Sequence, residues 1–142
     1  MLTVPIEIKK SQIHGYGVFA VKPIRKDTVV WMFQPGLDLR MSLFAVKFAQ
    51  PKVRDYIWQR GYINPKSPQQ IVLCIDEAQF LNFPPPEQTA NLTLGGVQDG
   101  EHMLLAAVDI LAGEELTVPA ESDADYDRKL KEYGTSREDQ RD

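Results

Sequence analysis

Short strand-like runs, each closed within a few residues by proline, glycine or an acidic turn, recur along this sequence and confine it to a mainly β fold with short helices. Val4 to Lys9 alternates as an edge strand does, and Gly17 to Val21 and Thr28 to Phe33 follow with strand-like composition. Lys22-Pro23-Ile24-Arg25-Lys26-Asp27 reads as the turn between those two. Strand signals return at Gln70 to Ile75, Asn91 to Leu94 and His102 to Val108. Asn64-Pro65-Lys66-Ser67-Pro68 and the stretch from Gly95-Gly96 to Gly100 read as hairpin loops. From Ser42 the pattern changes. Leu43, Val46, Phe48, Val53, Ile57 and Trp58 recur at helical spacing, with Ser42 as N-cap, Gly61 as stop and Pro51 dividing two short helices. Near the end, Tyr126, Leu130 and Tyr133 share one face of a last helix capped by Ser122 or Asp123 and stopped by Gly134. Residues 1 to 134 thus form a single domain, and 135 to 142 a polar tail expected to be disordered.

Composition narrows the function classes. Cys74 is the single cysteine of the 142 residues, which excludes internal disulfides and thiolate zinc clusters. Its apolar setting, Ile71-Val72-Leu73-Cys74-Ile75, suits a buried structural thiol. His14 and His102 are the two histidines and form no metal-binding pair, so no metal site is expected. Asp123-Ala124-Asp125-Tyr126-Asp127 imitates half a calcium loop, but Arg128 stands where that loop needs glycine and Gly134 where it needs glutamate. The start lacks the layout of a signal peptide, and no apolar run approaches the ~20 residues that span a bilayer. A cytoplasmic protein without membrane contact is expected. Residues 1 to 75 carry 11 Lys and Arg against 4 Asp and Glu, and the remainder 5 against 16, within a net charge of −4. The acidic half suits a lysine-rich peptide better than a polyanion, so nucleic acid is not an expected partner.

Two segments carry more. Ser11-Gln12-Ile13-His14-Gly15-Tyr16-Gly17-Val18-Phe19-Ala20 brackets an aromatic with two glycines, and Ala106-Ala107-Val108-Asp109-Ile110-Leu111-Ala112-Gly113-Glu114-Glu115-Leu116-Thr117 stands near the other end. Alone, the glycine pair is a sharp turn, and it completes no phosphate or dinucleotide fingerprint. In this order and separation the two segments resemble the ends of a SET domain, the fold of S-adenosylmethionine-dependent protein lysine methyltransferases. The resemblance covers about residues 4 to 121 and looks most like the small stand-alone bacterial members. It implies a β-clip-like fold with a knot-like C-terminal crossing past the Asn82 loop, S-adenosylmethionine as cofactor, and a lysine-bearing protein or peptide as partner.

By the same resemblance His14, Gly15, Tyr16 and Gly17 hold the methionine end of the cofactor. Gln79-Phe80-Leu81-Asn82-Phe83 stands where the family has an Asn-His-Ser stretch, so Asn82 matches while Phe83 departs and keeps its backbone groups for the adenine. Pro84 offers no N–H, and Pro84-Pro85-Pro86 reads as a rigid loop or as a proline-recognition motif. Residues 42 to 61 correspond to the family's variable insert. Tyr62, just after it, is a groove residue or a buried strand aromatic. The family's catalytic tyrosine falls at Ala120, which leaves a degenerate active site. Tyr126 either reaches back to replace that phenol or packs with Leu130 and Tyr133 or on the adenine. The resemblance therefore implies a lysine methyltransferase with an altered site, or an inactive SET domain that binds a protein partner.

Overall fold

The computed structural model describes residues 1 to 133, the side chains of Glu132 and Tyr133 excepted. The expected tail, the stop at Gly134 and the place of Tyr133 on the helix face lie outside the described residues. Strand β1 (Ile6–Lys10) pairs antiparallel with β2 (Tyr16–Ala20), Ile6 opposite Ala20 and Lys10 opposite Tyr16. Ile6 and Ile8 pack against the core while Glu7 and Lys9 face water, the period-two pattern legible in the sequence. A three-stranded sheet joins β3 (Val29–Trp31), β7 (Glu101–Ala106) and β6 (Leu92–Gln98) in the order β3-β7-β6. A third pair, β4 (Leu39–Ser42) with β5 (Gln70–Leu73), is extended by an isolated bridge from Tyr62 to Val72.

The hairpin between β6 and β7 turns at the far end of the 95–100 loop that the sequence suggested, and is tighter than that loop. β6 runs on to Gln98, which pairs with Glu101, and the turn is Asp99-Gly100, both at positive φ (53° and 83°). An Asp-Gly pair at positive φ is the two-residue turn whose twist matches its strands. Gly95-Gly96 instead sits at the register shift between Leu94 and Val97. A Cβ on Gly95 would lie 2.9 Å from Leu105 Cγ, so the bare backbone there admits a cross-strand neighbour.

Pro51 does divide two helices, α1 (Leu43–Lys47) and α2 (Pro51–Arg60). Ser42 occupies the N-cap position of α1, but its side chain makes no capping hydrogen bond. Val46 and Ile57 turn inward and form a small second core with Ile63 and Ile71, whereas Phe48 and Val53, expected on the apolar face, are exposed. The last helix, α3 (Tyr126–Tyr133), begins after a 3-10 turn at Ala120–Ser122, so Ser122 lies outside it.

The main core gathers Val18 and Ala20 from the β1–β2 pair, Val30, Leu92 and Ala106 from the three-stranded sheet, and Ile110 and Leu116 from the extended stretch that follows. Within that stretch, residues 114 to 118 bind three partners in turn. Leu116 N–H donates to Val18 O (2.7 Å), Leu92 N–H to Thr117 O (3.1 Å), and Val118 N–H to Asn82 O (3.0 Å). Asn82 and Thr117 form a parallel bridge, which brings the 114–118 segment alongside the loop after the 3-10 turn Glu77–Phe80. No helix among the described residues is long and apolar enough to cross a membrane.

Candidate functional site

The glycine turn between β1 and β2 is held from behind. Asn82 Nδ2 donates to His14 O (2.9 Å), Tyr16 O (3.1 Å) and Glu115 Oε2 (2.9 Å). The Glu115 carboxylate also accepts from the Ser11 hydroxyl (2.7 Å), whose oxygen in turn accepts from Ile13 N–H (2.8 Å). The Asn82 amide thus holds the turn's two carbonyls, and the Glu115 carboxylate holds that amide together with Ser11.

The two glycines serve different ends. Gly15 sits at φ +46° with open space where a Cβ would stand. Gly17 is buried against the Glu115 carboxylate, where a Cβ would come 2.7 Å from Cδ. Gly15→Ala should therefore cost about 1–2 kcal/mol of left-handed backbone strain. Gly17→Ala must displace Glu115 from Ser11 and Asn82, and losing hydrogen bonds to a charged group should cost about 3 kcal/mol or more. Urea unfolding of the two variants checks this, and equal losses would contradict it.

A cavity of about 770 Å³ opens beside the turn, within the ~300–1,000 Å³ usual for small-molecule sites. It brings together His14, Gly15, Tyr16, Tyr62, Asn82, Phe83 and Tyr126, seven of the eight residues the sequence singled out. Gly17, packed on Glu115, is not among its lining residues.

Tyr62 is both a bridge residue beside β5 and a cavity wall. Its hydroxyl donates to Glu101 Oε1 (2.7 Å), and Trp31 meets its ring edge-on at 6.0 Å. Glu101 is buried and also accepts from Arg40 Nε (2.9 Å) and Asn64 Nδ2 (3.2 Å). Burial, then the Glu101 hydrogen bond and charge, pushes the Tyr62 phenol far above its ordinary range. The proton stays on Tyr62 and points at Glu101, so toward the cavity this oxygen can only accept. Burial likewise raises the Cys74 thiol well above its ordinary value, with Asp38 and Asp76 adding to the shift, which makes it a neutral wall group.

Tyr126 meets Phe83 in a T-shaped contact, centroids 4.8 Å apart. It opens α3, which is anchored through Asp123 just before it. Asp123 Oδ1 accepts from Ile63 N–H (3.0 Å) and Asp125 N–H (2.9 Å), and Oδ2 from Lys129 Nζ (2.6 Å). Ala120 is exposed and lines a smaller recess of about 320 Å³ with Pro84, Pro85 and Pro86, outside the main cavity.

Sequence reading passed over Arg60. Its guanidinium lies over the rings of Phe80 (4.8 Å) and Tyr56 (5.1 Å) on the cavity wall. Its Nε is buried without a hydrogen-bond partner, and none of the ion pairs among the described residues involves it. A cation held between rings and lacking a carboxylate is suited to bind an anion. The Tyr56 and Arg60 spacing on one helix was the available signal.

Burial, then the nearby Arg60 charge, holds the His14 imidazole below its ordinary value of 6.5. The unfolded chain takes up this proton first, so the stability tied to neutral His14 is present above pH 6.5 and is lost as pH falls through the lowered value. Melting temperatures should therefore drop on acidification below pH 6.5, and His14→Gln should flatten that limb. An unchanged limb would assign it to other groups.

No family model matches the sequence, and no curated protein matches it. Solved structures do share its fold. The Plasmodium falciparum protein PFL0690c superposes with a TM-score of 0.53 at 16% identity, over 82% of this chain and 92% of that one. The Chaetomium thermophilum Polycomb Repressive Complex 2 bound to GSK126 gives 0.64 at 19% identity, over 92% of this chain and 18% of that one. The autoinhibited ctPRC2 bound to S-adenosylmethionine gives 0.61 at 19% identity, over 92% and 17%. This chain thus spans a small part of the polycomb chains, and the likeness is one of architecture. Mainly β, with short helices, the chain has the SET-domain fold.

Proposed function

We propose that the cavity holds S-adenosylmethionine and that the protein transfers its methyl group to a lysine of a protein or peptide. The observation that carries this reading is the convergence of the Gly15-Tyr16 turn, Arg60, the Phe83–Tyr126 pair and Tyr62 on one cavity. The fit is chemical as well as spatial. Arg60 supplies the missing counter-ion for an amino-acid carboxylate, open space at Gly15 admits a ligand against the backbone, and Phe83 offers an aromatic wall for a purine. A structure of the same fold binds S-adenosylmethionine, and another is a ctPRC2 complex with H3K27me3 and H3K27M. When bound, the cofactor supplies a methyl group on a cationic sulfur.

The chain's own residues handle the amine. A lysine entering between Trp31, Leu104 and Phe80 sheds water, which lowers its pKa and favours the neutral, nucleophilic form. Tyr62, its O–H engaged in the hydrogen bond to Glu101, presents an acceptor lone pair that orients an N–H of that amine. Tyr126 stands on the cavity wall as the phenol nearest in sequence to the expected position and replaces the one absent at Ala120.

A second reading, an inactive SET domain that binds a protein partner, is favoured by the surface position of Ala120 and by the Asn82 amide being spent on His14, Tyr16 and Glu115. Calorimetric titration with S-adenosylmethionine and S-adenosylhomocysteine, followed by transfer of labelled methyl to a lysine peptide array, separates the two. Saturable binding and lysine-dependent label are expected. Binding without label in the wild type selects the second reading, loss of label confined to Tyr126→Phe supports the first, and no binding overturns the cofactor claim and leaves the second reading.

A further inference from the structure

The insert helices present a surface that the cavity does not explain. Phe44 and Phe48 are 73% and 70% exposed, and their rings meet edge to face at 4.9 Å, forming one aromatic knob. Val53, on the adjoining helix, is also exposed. An aromatic pair so placed gains nothing from the small core beneath α1 and α2, which Val46 and Ile57 fill from the other side.

The charge around the knob is equally particular. Lys47, Lys52 and Arg54 lie on the same two helices, and Asp55, 3.4 Å from Arg54 Nε, is the one acid between residues 43 and 60. The first turn of α2 holds Lys52 and no acid, so positive charge there adds to the helix dipole where an acid would offset it. A local excess of cations on a chain of net charge −4 is opposed to the average of its surface.

We infer that the α1–α2 face docks an acidic segment of a partner protein, anchored by one or two bulky apolar side chains on the Phe44–Phe48 knob. Apolar anchors ringed by complementary charge give a small interface both affinity and register. A nucleic acid would meet repulsion from the rest of this acidic chain and would find two rings packed on each other where it needs a row of stacking faces. A membrane surface would need a longer amphipathic helix than α1, which has five residues. The docking face does not depend on what the cavity binds.

Selection from a random phage-displayed peptide library on the full chain tests the inference. Enriched peptides should carry Asp or Glu next to Leu, Phe or Trp, whether or not they contain lysine. The Phe44→Ala/Phe48→Ala variant should bind such a peptide at least about tenfold more weakly. The K47E/K52E/R54E variant should enrich basic peptides in its place. The two rings and both lysines are exposed and Arg54 is half-buried with only its exposed neighbour Asp55 as ion-pair partner among the described residues, so both variants should melt and titrate with S-adenosylhomocysteine as the parent does. Enrichment of basic peptides by the parent, no enrichment, or binding unchanged by either variant would overturn it. Phe44-dependent binding to a single-stranded oligonucleotide or to phosphatidylserine vesicles, with acidic peptides inert, would overturn it as well.

Discussion

Arg60→Met should weaken S-adenosylmethionine binding by about thirtyfold while leaving the affinity for decarboxylated S-adenosylmethionine nearly unchanged. The guanidinium sits over Phe80 and Tyr56 with a buried, unpartnered Nε on the cavity wall. A charge-assisted hydrogen bond to a carboxylate in such a site contributes about 2 kcal/mol, and thirtyfold is that quantity expressed as a ratio of affinities. Methionine keeps an apolar stem between the rings, so the loss reports charge more than packing. The paired ligands make the comparison specific, since a merely structural role for Arg60 would weaken both equally. Parallel losses would move the carboxylate elsewhere in the cavity, and failure of the parent to bind either ligand would count against the cofactor itself.

The largest stability effect is expected at Asp123. Its side chain is 1% exposed and carries the Lys129 ammonium at 2.6 Å together with two backbone N–H groups. Asp123→Ala leaves that ammonium buried beside the Gly61 carbonyl alone and orphans the N–H groups of Ile63 and Asp125. Breaking a buried pair from one side costs about 3–5 kcal/mol. Lys129→Met should cost less, because the two N–H donors continue to satisfy the carboxylate. The double variant should be less destabilised than the two losses added together. Guanidinium unfolding of the three proteins measures this. An Asp123→Ala loss below about 1 kcal/mol would show that water reaches the pair. Because Asp123 and Lys129 also line the cavity, the same substitution should loosen the seat of Tyr126.

Local rules recovered what is local. Strand alternation at Ile6 to Lys10, the break at Pro51 and the burial of Cys74 all follow from composition and period. The turn at Asp99-Gly100 fell within the loop read from the sequence, which also took in Gly95-Gly96, residues that β6 keeps in its strand. Other features were not written locally. Strand β4 shows its pairing only when β5 lies beside it, and Phe48 and Val53 fit a helical repeat whose inward side they do not take. At the site, the glycine turn, Asn82, Phe83, Tyr62 and Tyr126 were found through resemblance and spacing, and they do meet. Arg60 was hidden because its meaning depends on Phe80, which arrives from a different part of the chain. Gly17 was read as facing a ligand, but its neighbour is Glu115, and no single-sequence pattern connects positions so far apart.

The link from Ser11 to Glu115 spans 104 positions, and Asn82 joins the same carboxylate from a third stretch. Closing so long a loop is entropically costly and is repaid only when all three stretches are present together. On a ribosome, the turn bearing Gly15 would emerge early and wait, unfixed, until nearly the whole domain had followed. Ligand capture would then report completion of the chain: a product truncated before Glu115 could pair β1 with β2, yet it would lack the brace that shapes the pocket's mouth.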